Sequence, residues 1–424
     1  VCLLDLNKKE MIGDKVCGDA VGRHHFDALD IQPPKGDELA NVVEGIEVYS
    51  PDMRTVFRVR GEGLHGFVIN RREFGQRLLE EALRSGVELY ERTLVTEPII
   101  EGGFVRGVKA RDLEEKKRFE LRGDVVIDAS GLAGTLRRRM PDGWGIEGEI
   151  EDEDISVCYR EIRQLASPIE GPEHLKIFLS QRASPGGYCW IFPKGDDLAN
   201  VGMGVQMLGR SQNPKRRLYE HVLSQPLFDN SSVIRAGGGV VTTRRPISCM
   251  VGNGILFVGD AACQPSPIHG GGIGPSMVAG RLAAKTACEA IGREDVSREG
   301  LWPYNLEFMA WYGAKAASLD VFRIFLQNRD DEALNYGMEY RLIREDDILK
   351  ASLGEDLKLS ITDKAERFLR GIGKLPFLRG LVMMSRNMRA IKSLYKAYPR
   401  NFEGLQSWVR GVDRVINDMK EMSF

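Results

Sequence analysis

Ile255-Leu256-Phe257-Val258-Gly259-Asp260-Ala261-Ala262, running on through Pro265 and Pro267 to His269-Gly270-Gly271-Gly272-Ile273-Gly274, is the stretch that decides the fold. An apolar strand, expected over about Gly254–Gly259, delivers Asp260 to its carboxyl end, where open α/β sheets bind ligands. A carboxylate there accepts hydrogen bonds from a sugar-like chain. The glycines bring backbone close to a flat ring, because no Cβ stands in the way. A small-residue helix, expected over about Pro275–Ile291, turns the positive end of its dipole to the same spot. That suits a group that becomes anionic, and a reduced flavin is one. A glycine-aspartate pair alone says little. Strand, GDAA, spaced prolines, GGGIG and helix together are specific, and the competing reading is an ordinary glycine-rich turn.

The rest of the 424 residues is arranged around that unit. Val1-Cys2-Leu3-Leu4-Asp5 reads as a short apolar strand ending in an acid. The second strand of a dinucleotide-binding βαβ unit ends that way, its acid bonding a ribose hydroxyl. The first strand and its GxGxxG turn then belong roughly 20–30 residues earlier, and are expected to be missing from this sequence. An acid closing an edge strand is the plainer alternative. A helix is expected over Arg72–Ser85, with Phe74, Leu78, Leu79 and Ala82 on one face and Gly86 as its stop. Strands are expected at Gly45–Ser50, Thr55–Arg60, Val87–Tyr90, Val95–Ile100 and Asp124–Asp128. Between Ile155 and Val241, short strands broken by Gly and Pro suggest a second, antiparallel domain with a helix near Pro214–Leu223. From about residue 300 the pattern is helical. The fold class is α/β: a Rossmann-like nucleotide-binding domain (1–44 and 66–150 with 246–298), an antiparallel β-rich domain (45–65 and 151–245) and a helical C-terminal domain (299–424).

Hydrophobic residues make up 42% and charged residues 28%, with a net charge of -2. This is an ordinary soluble profile without overall attraction to nucleic acid. No apolar run reaches the length of about 18 residues that spans a bilayer, and no signal peptide is visible. The seven cysteines, Cys2, Cys17, Cys158, Cys189, Cys249, Cys263 and Cys288, form no CxxC or Cys/His cluster. They read as reduced thiols in a cytoplasmic setting, with no metal centre. Between Arg367 and Arg400 lie nine Lys or Arg and no Asp or Glu, interleaved with Leu, Phe, Met and Tyr. Such a stretch either rests on an anionic lipid surface or caps a helical core with a solvated basic face.

Two further segments carry chemistry. Cys17-Gly18-Asp19-Ala20 places a thiol in a polar loop, as a site residue or as a small core residue. Pro185-Gly186-Gly187-Tyr188-Cys189-Trp190-Ile191-Phe192-Pro193 is followed by Gly202-Met203-Gly204. On a strand, Tyr188, Trp190 and Phe192 share one face. They form an apolar wall for a long hydrocarbon, or a core strand stacked on its sheet. His269 lines the site or only bonds its own loop. Arg244-Arg245 holds a phosphate or forms a surface ion pair.

On these residues the chain resembles the FAD-dependent aromatic-hydroxylase superfamily, and within it the geranylgeranyl reductases, over most of its length. The resemblance implies a GR2-type FAD-binding domain. It implies that Asp260, Gly271, Gly272 and Ile273 meet the flavin's ribityl chain and pyrophosphate, and that Asp5 bonds the ribose. Arg71, in Asn70-Arg71-Arg72-Glu73-Phe74, falls where FAD is contacted, and Val95 where a backbone amide meets the adenine. Cys17, Gly18, Asp19 and Ala20 match the segment beside the isoalloxazine. The Tyr-x-Trp-x-Phe-Pro run with Gly-x-Gly matches the reductases' signature. One motif departs: the superfamily's Asp-Gly pair reads Ala129-Ser130-Gly131, followed by Arg137, which removes an aspartate that helps nicotinamide contacts.

The activity so implied is FAD-dependent saturation of C=C bonds in geranylgeranyl chains of isoprenoid, archaeal-type ether lipids. Hydride comes from reduced flavin and a proton from a nearby acid or water. The catalytic expectation falls on Cys17, Tyr188 and Trp190, and substrate contact on Tyr188, Trp190, Phe192 and His269. Reduced ferredoxin and NAD(P)H both remain open as electron donors, as does peripheral contact with the membrane surface. The alternatives are a flavin monooxygenase or halogenase acting on an apolar substrate, although a halogenase WxWxIP run is absent, and a non-catalytic prenyl-lipid carrier.

Overall fold

The computed structural model describes residues 1–207, 212–353 and 375–421. In chain order, β1 (Cys2–Leu4), β2 (Ala20–Gly22) and α1 (Arg23–Leu29) precede β3 (Leu39–Val43), β4 (Gly45–Tyr49), β5 (Val56–Arg60), β6 (Gly66–Ile69) and α2 (Arg71–Arg84). Next come β7 (Glu88–Tyr90), β8 (Thr93–Glu101), β9 (Phe104–Asp112), β10 (Arg118–Arg122) and β11 (Val126–Asp128). The middle of the chain holds β12 (Ile155–Gln164), β13 (His174–Phe178), β14 (Tyr188–Pro193), β15 (Leu198–Gln206), α3 (Pro214–His221) and β16 (Ser232–Thr242). β17 (Val251–Gly252), β18 (Ile255–Phe257) and α4 (Ile273–Gly292) lead into α5 (Arg298–Phe308), α6 (Ala314–Gln327), α7 (Asp331–Glu339), α8 (Glu345–Leu353), α9 (Leu375–Lys396) and α10 (Leu405–Lys420).

Parallel pairing marks the part expected to bind a nucleotide: β1 runs parallel to β7, and β11 parallel to β18. Ile255, Leu256 and Phe257 of β18 are fully buried, as an apolar run covered on both faces must be. Behind β18 lies α4, whose buried Ala279, Ala283, Ala287 and Ala290 allow close packing. This helix starts two residues ahead of expectation. Pro275 sits in its first turn, where a missing N–H breaks no helical bond. The same core continues through α5, α6, α9 and α10, with Tyr304, Phe308 and Phe325 buried in it.

Seven strands form the second sheet, in the order β16-β12-β15-β14-β13-β4-β5. It is antiparallel except for β13 beside β4, a parallel pair that the sequence did not indicate. Nor are its strands all short: β12 has 10 residues and β16 has 11. Gly237, Gly238 and Gly239 lie inside β16, although Gly was expected to break this region into short strands. One face of the sheet carries Cys189, Ile191, Val201, Met203 and Val205, covered by Leu218 of α3 and by Val222 and Phe228. Helix α3 starts with the Asn213 side chain accepting from the Arg216 N–H at 3.1 Å, and has Pro214 in its first turn.

Charged groups join the sheet to the C-terminal helices. Arg244 meets Glu147 at 2.7 Å and Asp154 at 3.8 Å; Arg323 meets Asp154 at 2.8 Å and Asp320 at 2.7 Å; Arg245 meets Asp320 at 3.1 Å. This corrects both readings of the arginine pair. Neither a phosphate site nor a surface contact, it is part of a buried network in which each charge has partners, as burial demands. Of the basic C-terminal stretch, 367–374 lies outside the described residues. Among the described residues no helix is long and apolar enough to cross a membrane.

Candidate active site

The loop that carries Cys17 is fastened at both ends. At Gly13 (φ +90) the backbone crosses α2 so closely that a Cβ there would stand 2.6 Å from Gly75 Cα. Gln76 Nε2 donates to the carbonyls of Lys9 (2.8 Å) and Ile12 (2.7 Å). At the other end Asp19 adopts φ 66, a conformation non-glycine residues hold only against a cost of about 1 kcal/mol or more. Three contacts hold it there. Its carboxylate accepts from Lys194 Nζ at 3.2 Å and Asn200 Nδ2 at 2.9 Å, and its carbonyl accepts from the Ile69 N–H at 2.9 Å.

Between those anchors the loop crosses the second sheet on the face opposite α3. Strand register puts Trp190, Gly202, Arg160 and Gly237 in one cross-strand row, and Tyr188, Gly204, Cys158 and Gly239 in the next. A Cβ at Gly237 would lie 2.6 Å from Val16 Cγ2, and one at Gly18 3.1 Å from the Phe192 ring. Cys17, between Val16 and Gly18, therefore sits over the Gly202–Arg160 part of the first row. Missing side chains make room: a Cβ at Gly202 would stand 2.5 Å from Trp190 Cε2 and 2.8 Å from Arg160 Cβ. In the second row nothing lies within 4 Å of a Cβ built at Gly239, so that row opens towards β16. Asn200, fully buried, ties the parts together. It accepts from Trp190 Nε1 at 3.0 Å and donates to the Cys17 carbonyl at 2.8 Å.

The glycine loop after β18 closes the opposite side. Gly259 (φ +64) and Gly270 (φ +65) need the left-handed region that glycine reaches freely. Asp260 follows the strand end, with Lys15 Nζ at 3.6 Å. The helix cap is Gly272, which offers no side-chain acceptor, so first-turn N–H groups of α4 remain available to a ligand. Tyr188 donates its hydroxyl to the His269 carbonyl at 2.8 Å, and His269 Nδ1 accepts from the Gly271 N–H at 3.1 Å. The Tyr188 and Trp190 rings lie 5.8 Å apart, and those of Trp190 and Phe192 6.1 Å.

The structure thus brings Cys17, Gly18, Asp19, Tyr188, Trp190, Phe192 and His269 to one place. Arg71, first residue of α2, faces Cys17 electrostatically and keeps its Nε buried without a hydrogen-bond partner among the described residues. Ala20 pairs with Val68 beside it. Asp5 and Val95 lie apart from this group. Asp5 directly follows β1, its carboxylate accepting from the Asn7 N–H at 2.7 Å, and Val95 of β8 pairs with Ala110 of β9. The residues fit FAD on their own chemistry: a Cβ-free cradle, a helix start without a capping side chain, a carboxylate at a strand end and an arginine nitrogen in want of an acceptor.

Burial sets the electrostatics. It raises the Cys17 thiol, helped by the Asp19 charge, and pushes Cys158 up to about 12. It lowers His25 to about 3 and His269 to about 4, each assisted by cationic neighbours, and Lys315 to about 8. Several residues here escaped sequence reading: Asn200, Lys194, Arg160, Cys158 and Asp128. The Asp128 carboxylate, at the end of β11, accepts from the N–H groups of Ser130 (2.9 Å), Leu136 (3.2 Å) and Arg137 (3.2 Å). A polar residue inside an apolar strand, as in Ala199-Asn200-Val201, was the available signal.

Comparison with known proteins gives a consistent set. The geranylgeranyl reductase catalytic domain family matches residues 154–241. The chain is 41% identical over 423 residues to the digeranylgeranylglycerophospholipid reductase of Sulfolobus acidocaldarius, covering 99% of this chain and 93% of that protein. It is 31% identical over 363 residues to the protein of the same name from Methanothrix thermoacetophila, covering 84% and 88%. In three dimensions it is similar to a geranylgeranyl bacteriochlorophyll reductase-like protein of Thermoplasma acidophilum, with a TM-score of 0.74 and 23% identity over 90% of this chain and 92% of that one.

Proposed function

We infer how this site works from one premise: the chain belongs to the digeranylgeranylglycerophospholipid reductase family. It is an FAD-dependent oxidoreductase that saturates C=C bonds of geranylgeranyl chains in archaeal lipid biosynthesis. Asp260, Gly271, Gly272, Ile273 and Arg71 would hold FAD around the flavin end, with Cys17, Gly18, Asp19 and Ala20 beside the ring, and Asp5 and Val95 at the adenosine end. When bound and reduced, FAD supplies a hydride.

An isolated trisubstituted alkene is not electrophilic, so the protein must add a proton as hydride arrives. Cys17 is our proton donor. Burial keeps its thiol protonated at neutral pH, and the anchored loop fixes the sulfur in space. Positive charge then grows on the more substituted carbon. The faces of Tyr188 and Trp190 steady it by cation–π attraction and, with Phe192, exclude water. His269 lines the edge of the cleft through the carbonyl that Tyr188 holds. The observation that carries this assignment is the passage of the Cys17 loop over the Trp190–Gly202–Arg160–Gly237 row. Its test is a reaction of chemically reduced protein with a geranylgeranyl lipid, followed by mass spectrometry. Products heavier in steps of two hydrogens are expected. Products carrying oxygen or halogen, or unaltered lipid bound to a colourless protein, would overturn the assignment in favour of a monooxygenase, a halogenase or a lipid carrier.

The electrons come from an external one- or two-electron donor, ferredoxin or nicotinamide by class, and the lipid is met at the membrane surface. Support for the latter lies on α9. Its exposed face shows Leu375, Val382 and Met383 between Arg379, Arg386 and Arg389, with no acid on the helix. Flotation with anionic vesicles tests it.

A further inference from the structure

We propose that Arg160 is the positioning residue of the Cys17 thiol: its guanidinium holds the negative charge that the sulfur carries once its proton has gone to the alkene. The proposal rests on Cys17 being the proton donor. Arg160 is 3% exposed, and its Nε and Nη1 are buried without a hydrogen-bond partner among the described residues. A buried guanidinium keeps its proton and is costly unless an anion or acceptor meets it. Such a group persists where the partner appears only during turnover.

Its surroundings narrow the choice of partner. Arg160 stands in the first row of the sheet face, directly under the loop between Val16 and Gly18. The charged and titratable groups facing this place are Asp14, Lys15, Cys17 and Asp19 of the loop, Arg71 of α2, Cys158 of β12, Lys194 and Tyr188 of β14 and its end, and Arg235 of β16. Asp14 pairs with Arg235 at 2.6 Å and Asp19 pairs with Lys194 at 3.2 Å through Oδ2, while Asp19 Oδ1 stays buried without a hydrogen-bond partner among the described residues and its charge reaches Arg160 too. Lys15 is engaged with Asp260 at 3.6 Å. Arg71 also faces Cys17 with a buried Nε that lacks a partner among the described residues, but it is assigned above to FAD, which leaves Arg160 for the sulfur.

The step balances. The π bond of one C=C breaks and two C–H bonds form, one from hydride of the reduced cofactor and one from the Cys17 S–H bond, which breaks. The alkene is reduced, the cofactor oxidised, and sulfur is left as thiolate beside Arg160 until the saturated unit moves off and entering water reprotonates it. The two cysteine requirements are then met by different means: burial retains the proton at rest, and Arg160 stabilises what remains afterwards.

The test compares FAD-loaded wild type, Arg160→Met and Arg160→Lys, with FAD content and circular dichroism checking the fold. Methionine is chosen because an apolar side chain of similar length in place of a buried charge is usually tolerated. Cys17 alkylation by iodoacetamide is followed against pH by peptide mass spectrometry. Arg160→Met is expected to raise the alkylation midpoint by about one pH unit, the low end for removing an opposite charge in contact range, and Arg160→Lys to restore most of it. On geranylgeranyl lipid, Arg160→Met should lower kcat at least tenfold with little change in KM, again with recovery in Lys. An alkylation midpoint unmoved in Arg160→Met overturns the proposal even if turnover falls. Should Cys17→Ala keep wild-type turnover, the proton-donor reading fails instead, and the alkylation shift separately reports whether Arg160 and Cys17 are coupled.

Discussion

Replacing Asn200 by leucine tests whether the sheet holds the Cys17 loop. Leucine shares the branched skeleton of asparagine and its methyl groups are somewhat larger than the amide atoms, so the change leaves no cavity and acts chiefly through polarity. Three hydrogen bonds disappear: from Trp190 Nε1 (3.0 Å), to the Cys17 carbonyl (2.8 Å) and to the Asp19 carboxylate (2.9 Å). Asp19 keeps Lys194, but the indole N–H, on a ring 6% exposed, loses its acceptor. Leaving a buried polar group unmatched costs about 1–3 kcal/mol. Because the three partners share one amide their losses are not additive, and a total of about 3–4 kcal/mol is expected, a sizeable part of ordinary domain stability. Urea unfolding of FAD-loaded protein, followed by tryptophan fluorescence, measures it, and iodoacetamide labelling reports the release of Cys17. Asn200→Asp should be worse near pH 7, since it turns a donor to Asp19 into a second carboxylate, and should recover as the solution is acidified to pH 4. A destabilisation by Asn200→Leu below about 1 kcal/mol, with Cys17 no more reactive than before, would refute the anchoring argument.

Gly202→Ala sets a methyl against the Trp190 indole, so it should cost about 1–3 kcal/mol by overpacking and lower turnover more than lipid binding; denaturation and the KM-to-kcat split read the two effects. Glu147 gives a pH signature. Burial alone would raise its carboxyl, but Arg244 and Arg245 prevail and hold it at about 2. Since the folded value lies below the ordinary one of 4.5, stability on the order of 3 kcal/mol is present above pH 4.5 and is lost as pH falls towards 2; in Glu147→Gln the acid-unfolding curve should flatten over that window and start from a less stable protein. Tyr188→Phe removes the bond to the His269 carbonyl, and should weaken FAD binding a few-fold, by about 1 kcal/mol, as titration of the apoprotein with FAD would show. On α9, the pair Arg379→Glu and Arg386→Glu should reduce flotation with anionic vesicles while leaving turnover on detergent-dispersed lipid intact.

What could be read in advance was whatever depends on residues near in sequence. The Ile255–Phe257 strand, the positive-φ glycines after it and the helix beyond announce themselves because backbone conformation there is set locally. Tyr188, Trp190 and Phe192 share a face because a strand alternates. Long-range matters were hidden. Nothing in Arg244-Arg245 tells that Glu147, Asp154 and Asp320 converge on it, so it read as a phosphate site or a surface ion pair. Glycine was expected to break the 155–241 region into short strands, yet Gly237 and Gly239 stay inside one, with Val16 against the first and open space beside the second. Asn200 lies 183 residues from Cys17, and only folding makes them neighbours.

The backbone crossing at Gly13 and Gly75 has a consequence for catalysis on a polymer-like substrate. Two main chains in van der Waals contact form a weld with no slack, and Cys17 is only four residues along from it. The reactive sulfur is thus a fixed tool on a bench. An isoprenoid tail with several unsaturated units must be drawn past it one repeat at a time, so partial saturation would report how far the tail was fed before it escaped.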